Sequence, residues 1–391
     1  MSYTMTALAD NKSMLQHSYN KPAISFESQL QRLKNKGLII QDDEHALCLL
    51  KHVNYYRLKD YAFPCLDGNG VFLPETELAE IISLYEFDRA LRLLIFEAIE
   101  LFEIHFRIAI AYHLGIKYGP FAHEQIQNFA SNKETIHAKF ICRLGMEANR
   151  TKTRLIQNYR MKYTDYPSLP IWIAVEMMSF GTLSMLFGML QPEDKKAIAK
   201  NWDTNFEALA SWARSLTMIR NICAHYGRLW NSVEELNIRP RLLNKDKKVG
   251  IKNDNIYFII YLLRRLTNKN PLAGSWAQRT FLFLSRNEGR LSLPEQWKTH
   301  PLWIGMAEQY RFLSRYPFPS VKHQRLPVLE ICPRVMGQHL SNKRAALLVF
   351  AFYLCHAACA RQMDVGGDWP VLFRANNCVK NEKSMFLNVY F

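Results

Sequence analysis

The stretch ELAEIISLYEFDRALRLLIFEAIELFEIHFRIAIAYHL occupies residues 77–114 and contains neither glycine nor proline. Its polar residues recur mostly every three or four positions, against a wide face of leucine, isoleucine and phenylalanine, which is typical of an α-helix. A helix of this length that is apolar around most of its circumference must be buried by several other helices. We therefore predict that it is the central helix of an all-α protein, and that Gly115 and the pair Gly119-Pro120 end it.

Further helical patterns flank this segment on both sides. They follow the capping residues Ser25 and Asp42 or Asp43, and they recur at residues 171–190, 205–225 and 256–266. We predict polar, basic connections at residues 123–166 and 245–252. Since the sequence has no convincing alternating strands, no βαβ pattern and no fixed-period repeat, a helical bundle with polar insertions is the expected fold.

These patterns divide the chain into five predicted regions. They are a flexible N-terminus (1–20), an N-terminal helical segment (21–76), a helical core (77–235), a C-terminal helical part of the core (236–314) and an unassigned basic tail (315–391). Within the tail, residues 342–362 have the pattern of one apolar helix.

The positive charge lies in the second half of the chain. Lys and Arg number 50 and Asp and Glu 35, and the balance is 16 − 18 = −2 for residues 1–150, 23 − 13 = +10 for 151–310 and 11 − 4 = +7 for 311–391. A basic region with interspersed aromatic residues suits a polyanion, so RNA or DNA is the leading partner, with a basic surface kept for solubility as the alternative. No apolar stretch reaches the ~20 residues of a bilayer span. We expect a cytoplasmic protein with no membrane partner.

Most familiar catalytic motifs are absent from the sequence. It has no phosphate-binding glycine loop, no HExxH, no GxSxG and no acidic cluster with the spacing of a magnesium-dependent nuclease. We therefore expect no metal and no cofactor. Arg and His remain, and together they can cleave RNA: His transfers protons near neutral pH, and Arg binds the phosphate and its developing charge.

Two Arg–His pairs are candidates, Arg220 with His225 and Arg107 with His113. Chance alone predicts about as many pairs of such spacing as the chain contains, so the spacing itself is no argument. Five residues turn an ideal helix by about 140°, so Arg220 and His225 share a site only if the helix is distorted or the long Arg220 side chain reaches round a cleft. The alternatives are a solvated helix end for this pair, and an i,i+4 ion pair with Glu103 for Arg107.

The context of the first pair resembles a known family. RNICAHYGRLWN (220–231) resembles the RNxxAH-type signature of the HEPN superfamily, as it occurs in abortive-infection proteins of the AbiD/AbiF type. Four further blocks are similar to that family in the same order. They are residues 21–40, 53–64, 83–115 and 169–187.

The resemblance implies an all-α, HEPN-type helical bundle with additional N-terminal and C-terminal helical segments. It also implies a metal-independent endoribonuclease toxin of bacterial phage defence that cuts RNA by 2′-hydroxyl attack. In such proteins the Arg and His of the motif are catalytic, which here implies Arg220 and His225, with Asn221 as the polar residue after the Arg.

HEPN sites are usually composite, with two motifs facing each other across a dimer or between two halves. Arg107 and His113 occupy the place of a second motif, although Ile108 stands where a polar residue is expected. A homodimer is therefore a candidate state. The resemblance also implies a restraining partner, either a small structured RNA or a protein antitoxin.

Basic and aromatic residues around the motif and in the preceding polar region are candidate RNA contacts: Tyr226, Arg228, Arg150, Lys152 and Arg154. The alternative function is a HEPN-fold RNA-binding or interaction module that does not cut. An enzyme requires the Arg220 guanidinium and the His225 ring to face one open, positively charged cleft, whereas a purely structural bundle would bury both.

Overall fold

A computed structural model describes residues 22–164, 168–248 and 250–306, and these residues form an all-α fold. Within them, the helices are connected by turns, short 3₁₀ segments and isolated β-bridges, with no extended strand. The helices are α1 (Phe26–Asn35), α2 (Asp43–His52), α3 (Tyr55–Ala62), α4 (Leu78–Tyr118), α5 (Glu134–Arg150), α6 (Arg154–Lys162), α7 (Ile171–Met177), α8 (Phe180–Met189), α9 (Pro192–Ala199), α10 (Phe206–Ala224), α11 (Ser232–Glu235), α12 (Asn244–Lys248), α13 (Ile256–Leu266) and α14 (Gly274–Arg286). The predicted all-α class is confirmed.

Helix α4 is the central element. Its 41 residues span about 60 Å, and it packs against α3, α7, α8, α9, α10, α13 and α14. The helix continues through Gly115, where the Trp172 ring lies 3.5 Å from the position that a Cβ would take. It ends at Gly119, whose positive φ of 89° suits glycine. Gly119 therefore ends the helix as predicted, and Gly115 does not.

The described chain contains two hydrophobic cores, and α4 contributes to both. The smaller core joins α1, α2 and α3 to the first turn of α4 through residues such as Leu50, Tyr61 and Ile81. The larger core begins at Phe87 on α4 and continues through the helices that follow, with fully buried rings such as Trp212. The boundary between the cores thus falls within α4, between Ile81 and Phe87.

Three predicted segments differ from the structure. The polar connection at 123–166 contains helices α5 and α6, because buried residues of α5 at three- and four-residue spacing (His137, Phe140, Leu144 and Ala148) form a narrow apolar stripe among charged residues. The predicted helix at 171–190 is two helices, and Ser179 caps the second by accepting a hydrogen bond from the Thr182 amide at 3.3 Å. The basic loop at 245–252 contains most of α12.

The predicted flexible N-terminus, the basic tail and its apolar helix at 342–362 lie outside the described residues. Among the helices that are described, none combines the length and apolar character that crossing a membrane requires.

Candidate functional site

Helix α10 carries the predicted motif in its last turn. The Asn205 side chain caps the start of the helix by accepting a hydrogen bond from the Ala208 amide at 2.8 Å. Trp212, Leu216 and Cys223 lie on the buried face, and burial raises the pKa of the Cys223 thiol to about 12. The amide of His225 donates to the Asn221 carbonyl at 3.0 Å, so His225 is the residue at which the helix ends.

The three motif side chains differ in their surroundings. Arg220 is half-buried, and its guanidinium carbon lies 5.8 Å from the centre of the Phe96 ring. Its Nη1 is 3.5 Å from Oδ1 of Asn221. Asn221 and His225 are exposed. The motif is therefore open to solvent, and a purely structural bundle that buries both Arg220 and His225 is not what the chain forms.

Arg220 lines a cleft against α4. Arg107 is also at its edge, together with three carboxylates, Glu100, Glu103 and Glu176. Two arginines and three glutamates give the cleft a formal net charge of 2 − 3 = −1, so it is not positively charged. His225 is not among the residues that line it. Among the described residues, the cleft that Arg220 lines is therefore not the expected basic cleft shared with His225.

Arg107 is held by two internal contacts. It forms an ion pair with Glu103 one helical turn earlier and donates a hydrogen bond to the Val175 carbonyl. Only 11% of the Arg107 side chain and 14% of the Glu103 side chain are exposed. The i,i+4 ion pair named as the alternative for Arg107 is thus present.

His113 lies in a different cleft, beside His105. Its Nε2 is 2.8 Å from Oδ1 of Asp194, whose carboxylate also accepts from Lys117 Nζ at 2.5 Å and from the Tyr118 hydroxyl at 2.9 Å. Six residues along a helix place two side chains about 120° apart. The chain therefore does not bring Arg107 and His113 together as a second motif.

The Asp194 carboxylate is charged in the folded protein. Its burial raises the pKa, but the hydrogen bonds from Lys117, His113 and Tyr118 outweigh that effect and lower the pKa below its ordinary value of 3.8. The hydrogen bond between Lys117 and Asp194 also raises the pKa of Lys117. Asp194 thus joins the end of α4 to α9 as an anion.

The loop after His225 is held by a second buried carboxylate, that of Asp88 on α4. The backbone amides of Leu229 and Trp230 donate to its Oδ1 at 3.1 and 2.7 Å, and the Tyr61 hydroxyl donates to its Oδ2 at 2.6 Å. Arg92 forms an ion pair with Asp88 and also lies 3.3 Å from the Gly227 carbonyl. One carboxylate thus connects α3, α4 and the loop that follows the motif.

Asp88, Arg92 and Tyr61 are not among the site residues that the sequence predicts. The side chain of Asp88 is fully buried and that of Arg92 is 6% exposed, and burial together with the charge of Asp88 raises the pKa of Tyr61, which keeps its hydroxyl a donor. A signal does exist in the sequence. Asp88 and Arg92 are an oppositely charged i,i+4 pair flanked by Phe87 and Leu91, on the face of the helix that is otherwise apolar.

The candidate RNA contacts near the motif are partly engaged. Tyr226 is exposed with a left-handed φ of 59°, and its carbonyl accepts a hydrogen bond from Arg57. Arg228 contacts both carboxylate oxygens of Glu235 at 2.7 Å, so its guanidinium already has an anionic partner.

The other three candidates, Arg150, Lys152 and Arg154, are exposed where α5 gives way to α6. In the described structure no hydrogen bond or ion pair joins them to Arg220, Asn221 or His225. Nor does any group of three or more His, Cys, Asp and Glu side chains in the described ranges have the arrangement of a metal site.

Comparison with known proteins gives one match. Residues 48–231 match the sequence model of the family described as Abi-like protein, a span that begins in α2 and ends just after the motif. It includes Tyr61, Asp88 and Arg92 as well as Arg220 and His225, so the motif and its supporting network lie in the matched part. No curated protein and no solved structure matches the chain. The predicted similarity to Abi-like proteins is confirmed over this segment.

The Asp88 network leads to a stability prediction. We expect Asp88→Asn to lower the free energy of unfolding by about 3–5 kcal/mol, because it leaves the buried Arg92 charge without its partner. Tyr61→Phe removes one hydrogen bond and should cost only about 0.5–1.5 kcal/mol. Urea denaturation of both variants measures this difference. Equal and small losses would show that Asp88 does not organise the site.

A second prediction concerns pH. Because the pKa of Asp194 is lower in the folded protein than its ordinary 3.8, its contribution to stability is present above that value and is lost as pH falls through the folded pKa. We expect Asp194→Asn to be less stable than the wild type at pH 7, with the difference shrinking below about pH 4. Melting temperatures from pH 3 to 7 test this, with the exposed neighbour Glu193→Gln as control. A difference independent of pH would contradict the assignment.

Proposed function

We propose that this chain is an endoribonuclease toxin of an abortive-infection system, built on a HEPN-type bundle of the AbiD/AbiF type. The observation that supports it best is the solvent-open position of Asn221 and His225 in the last turn of α10, next to a loop fixed by buried Asp88. The match of residues 48–231 to Abi-like proteins supports the role in phage defence.

In the proposed reaction His225 and Arg220 have separate tasks. A neutral His225 accepts the proton of a ribose 2′-hydroxyl, and the 2′-oxygen attacks the adjacent phosphorus. The bond to the 5′-oxygen breaks and that oxygen takes a proton from water, while protonated His225 returns its proton to the hydroxide left behind. The products are a 2′,3′-cyclic phosphate and a 5′-hydroxyl. Arg220 binds the phosphate and the charge that develops on it, and Asn221 beside it orients the substrate.

We place the complete site between two copies of the chain, because in the described residues His225 does not line the cleft of Arg220. An exposed apolar row on α4 supports a homodimer: Ile104, Ile108, Tyr112 and Ile116 recur at four-residue spacing and are 48–76% exposed. Ile104 also lines the Arg220 cleft. Exposed apolar patches of this kind mark contact surfaces.

A non-catalytic HEPN-fold RNA-binding or interaction module is the second candidate, and one observation argues against catalysis in the cleft of Arg220. The cleft that holds Arg220 contains three carboxylates, and its other arginine is paired with Glu103. For either function, we propose a cytoplasmic protein restrained by a small structured RNA or a protein antitoxin. Its basic middle region, residues 151–310, would then bind RNA less tightly as salt rises.

The catalytic proposal is tested with purified protein and total bacterial RNA. We expect Arg220→Ala and His225→Ala each to abolish cleavage, whereas Arg214→Ala, an exposed arginine on the same helix, should cleave like the wild type. His113→Ala should retain cleavage with reduced stability, because its ring contacts Asp194. Cleavage should continue in excess EDTA and leave 2′,3′-cyclic phosphate ends.

Two results would contradict the proposal. Full cleavage by Arg220→Ala or His225→Ala would exclude this site, and activity lost on chelation and restored by magnesium would exclude this mechanism. Retained RNA binding with no cleavage by the wild type would support the non-catalytic module instead.

A further inference from the structure

A third cavity is lined by residues of which none belongs to the motif. Its volume is about 370 Å³, within the ~300–1,000 Å³ range of small-molecule sites. It is formed by Trp202, by Lys245 on α12, by Tyr261 and Arg265 on α13, and by the segment around His300. It has no lining residue in common with the cleft of Arg220.

Two buried donors at this cavity have no acceptor among the described residues. They are Nη2 of Arg265 and the indole Nε1 of Trp202. Arg265 uses its other terminal nitrogen, Nη1, for Asp246, with contacts of 3.2 and 3.4 Å. Buried donors without partners are rare because each carries a desolvation cost. Both residues line the cavity, so its immediate surroundings include a guanidinium nitrogen and an indole nitrogen whose hydrogen-bonding capacity is unused.

The cavity is also cationic. Its lining contains three basic and two acidic side chains, which gives a net charge of 3 − 2 = +1. They are Lys245, Arg265, Lys269, Asp203 and Asp246. Both carboxylates are engaged, since Asp203 accepts from Lys269 at 2.6 Å and Asp246 accepts from the Tyr261 hydroxyl at 2.8 Å and contacts Arg265. The uncompensated charge is therefore that of Lys245, which forms no ion pair within the described ranges.

Further polar side chains line the surface next to the cavity. An open groove next to it shares Asp203 and Lys245 and adds Lys200 and Thr204. The buried hydroxyl oxygen of Thr204 also has no hydrogen-bond partner among the described residues. At the other end, Nδ1 of His300 accepts the Leu302 amide at 3.2 Å, which leaves Nε2 as the ring's donor in the neutral form.

We propose that this cavity binds the phosphate group of a small molecule of nucleotide size. A phosphate offers several acceptor oxygens and two negative charges, which match a guanidinium, a lysine and an indole donor better than a neutral ligand does. The site is separate from the RNA-cleaving site proposed above and does not depend on it.

The experiment is titration calorimetry on the full chain with three probes: adenosine monophosphate, inorganic phosphate and adenosine. We expect the two phosphate-bearing probes to bind and adenosine not to bind. Lys245→Ala should weaken binding of adenosine monophosphate about three- to tenfold. Lys247→Ala removes an exposed lysine of the same short helix that does not line the cavity, so it should bind like the wild type. Tighter binding of the monophosphate than of phosphate would identify a nucleotide, and equal binding a free phosphate.

Three outcomes would overturn the proposal. They are no binding of either phosphate-bearing probe, equal binding of adenosine, and equal effects of Lys245→Ala and Lys247→Ala. Arg220→Ala provides a control for location, since binding that is lost in this variant and retained in Lys245→Ala belongs to the end of α10.

Discussion

The Asp88 carboxylate accepts two backbone amides from the loop after His225, accepts the Tyr61 hydroxyl and pairs with Arg92. A buried carboxylate is tolerated only when its oxygens are satisfied and its charge is paired. Asp88 meets both conditions only if α3, α4 and the loop are all in place. Because Tyr61 belongs to the smaller core and Leu229 to the larger one, the same carboxylate also ties the two cores together where α4 passes from one to the other.

How far the sequence predicts this arrangement differs from element to element. The apolar run at 256–266 is helix α13 with the same bounds, and the long helix is central as its apolar circumference requires. Gly115 was predicted to end the long helix, but it lies within α4, where its missing side chain leaves room for the Trp172 ring. This contact depends on the tertiary fold and cannot be predicted from the local sequence. The sequence pattern did not predict helix α5, because only a narrow stripe of its surface is apolar and buried. Asp88 differs from exposed charges such as Glu86 and Arg89 by its i,i+4 pairing with Arg92 on the apolar face, but the backbone amides that it accepts lie 141 and 142 residues later, and the local sequence does not predict them.

The candidate site, like the fold, could be predicted from the sequence only in part. The sequence places Arg220, Asn221 and His225 at a helix end, and the structure has them there, with Asn221 and His225 exposed. The sequence also offers Glu103 as the i,i+4 partner of Arg107, and that ion pair is present. It does not give the partners that lie far along the chain or in a loop, Asp194 for His113 and Glu235 for Arg228. Arg107 lies at the edge of the Arg220 cleft, whereas His113 lies in a different cleft. The second copy in our proposal has another origin, since His225 is not among the residues that line the Arg220 cleft.

If Asp88 fixes the loop that follows the motif, the loop amides that it accepts are protected from solvent. Native-state hydrogen exchange measures this at Leu229 and Trp230, the two backbone donors to the carboxylate. We expect both amides to exchange as slowly as those in the buried middle of α4. Exchange as fast as that of the exposed amides in the connection between α5 and α6 would contradict it.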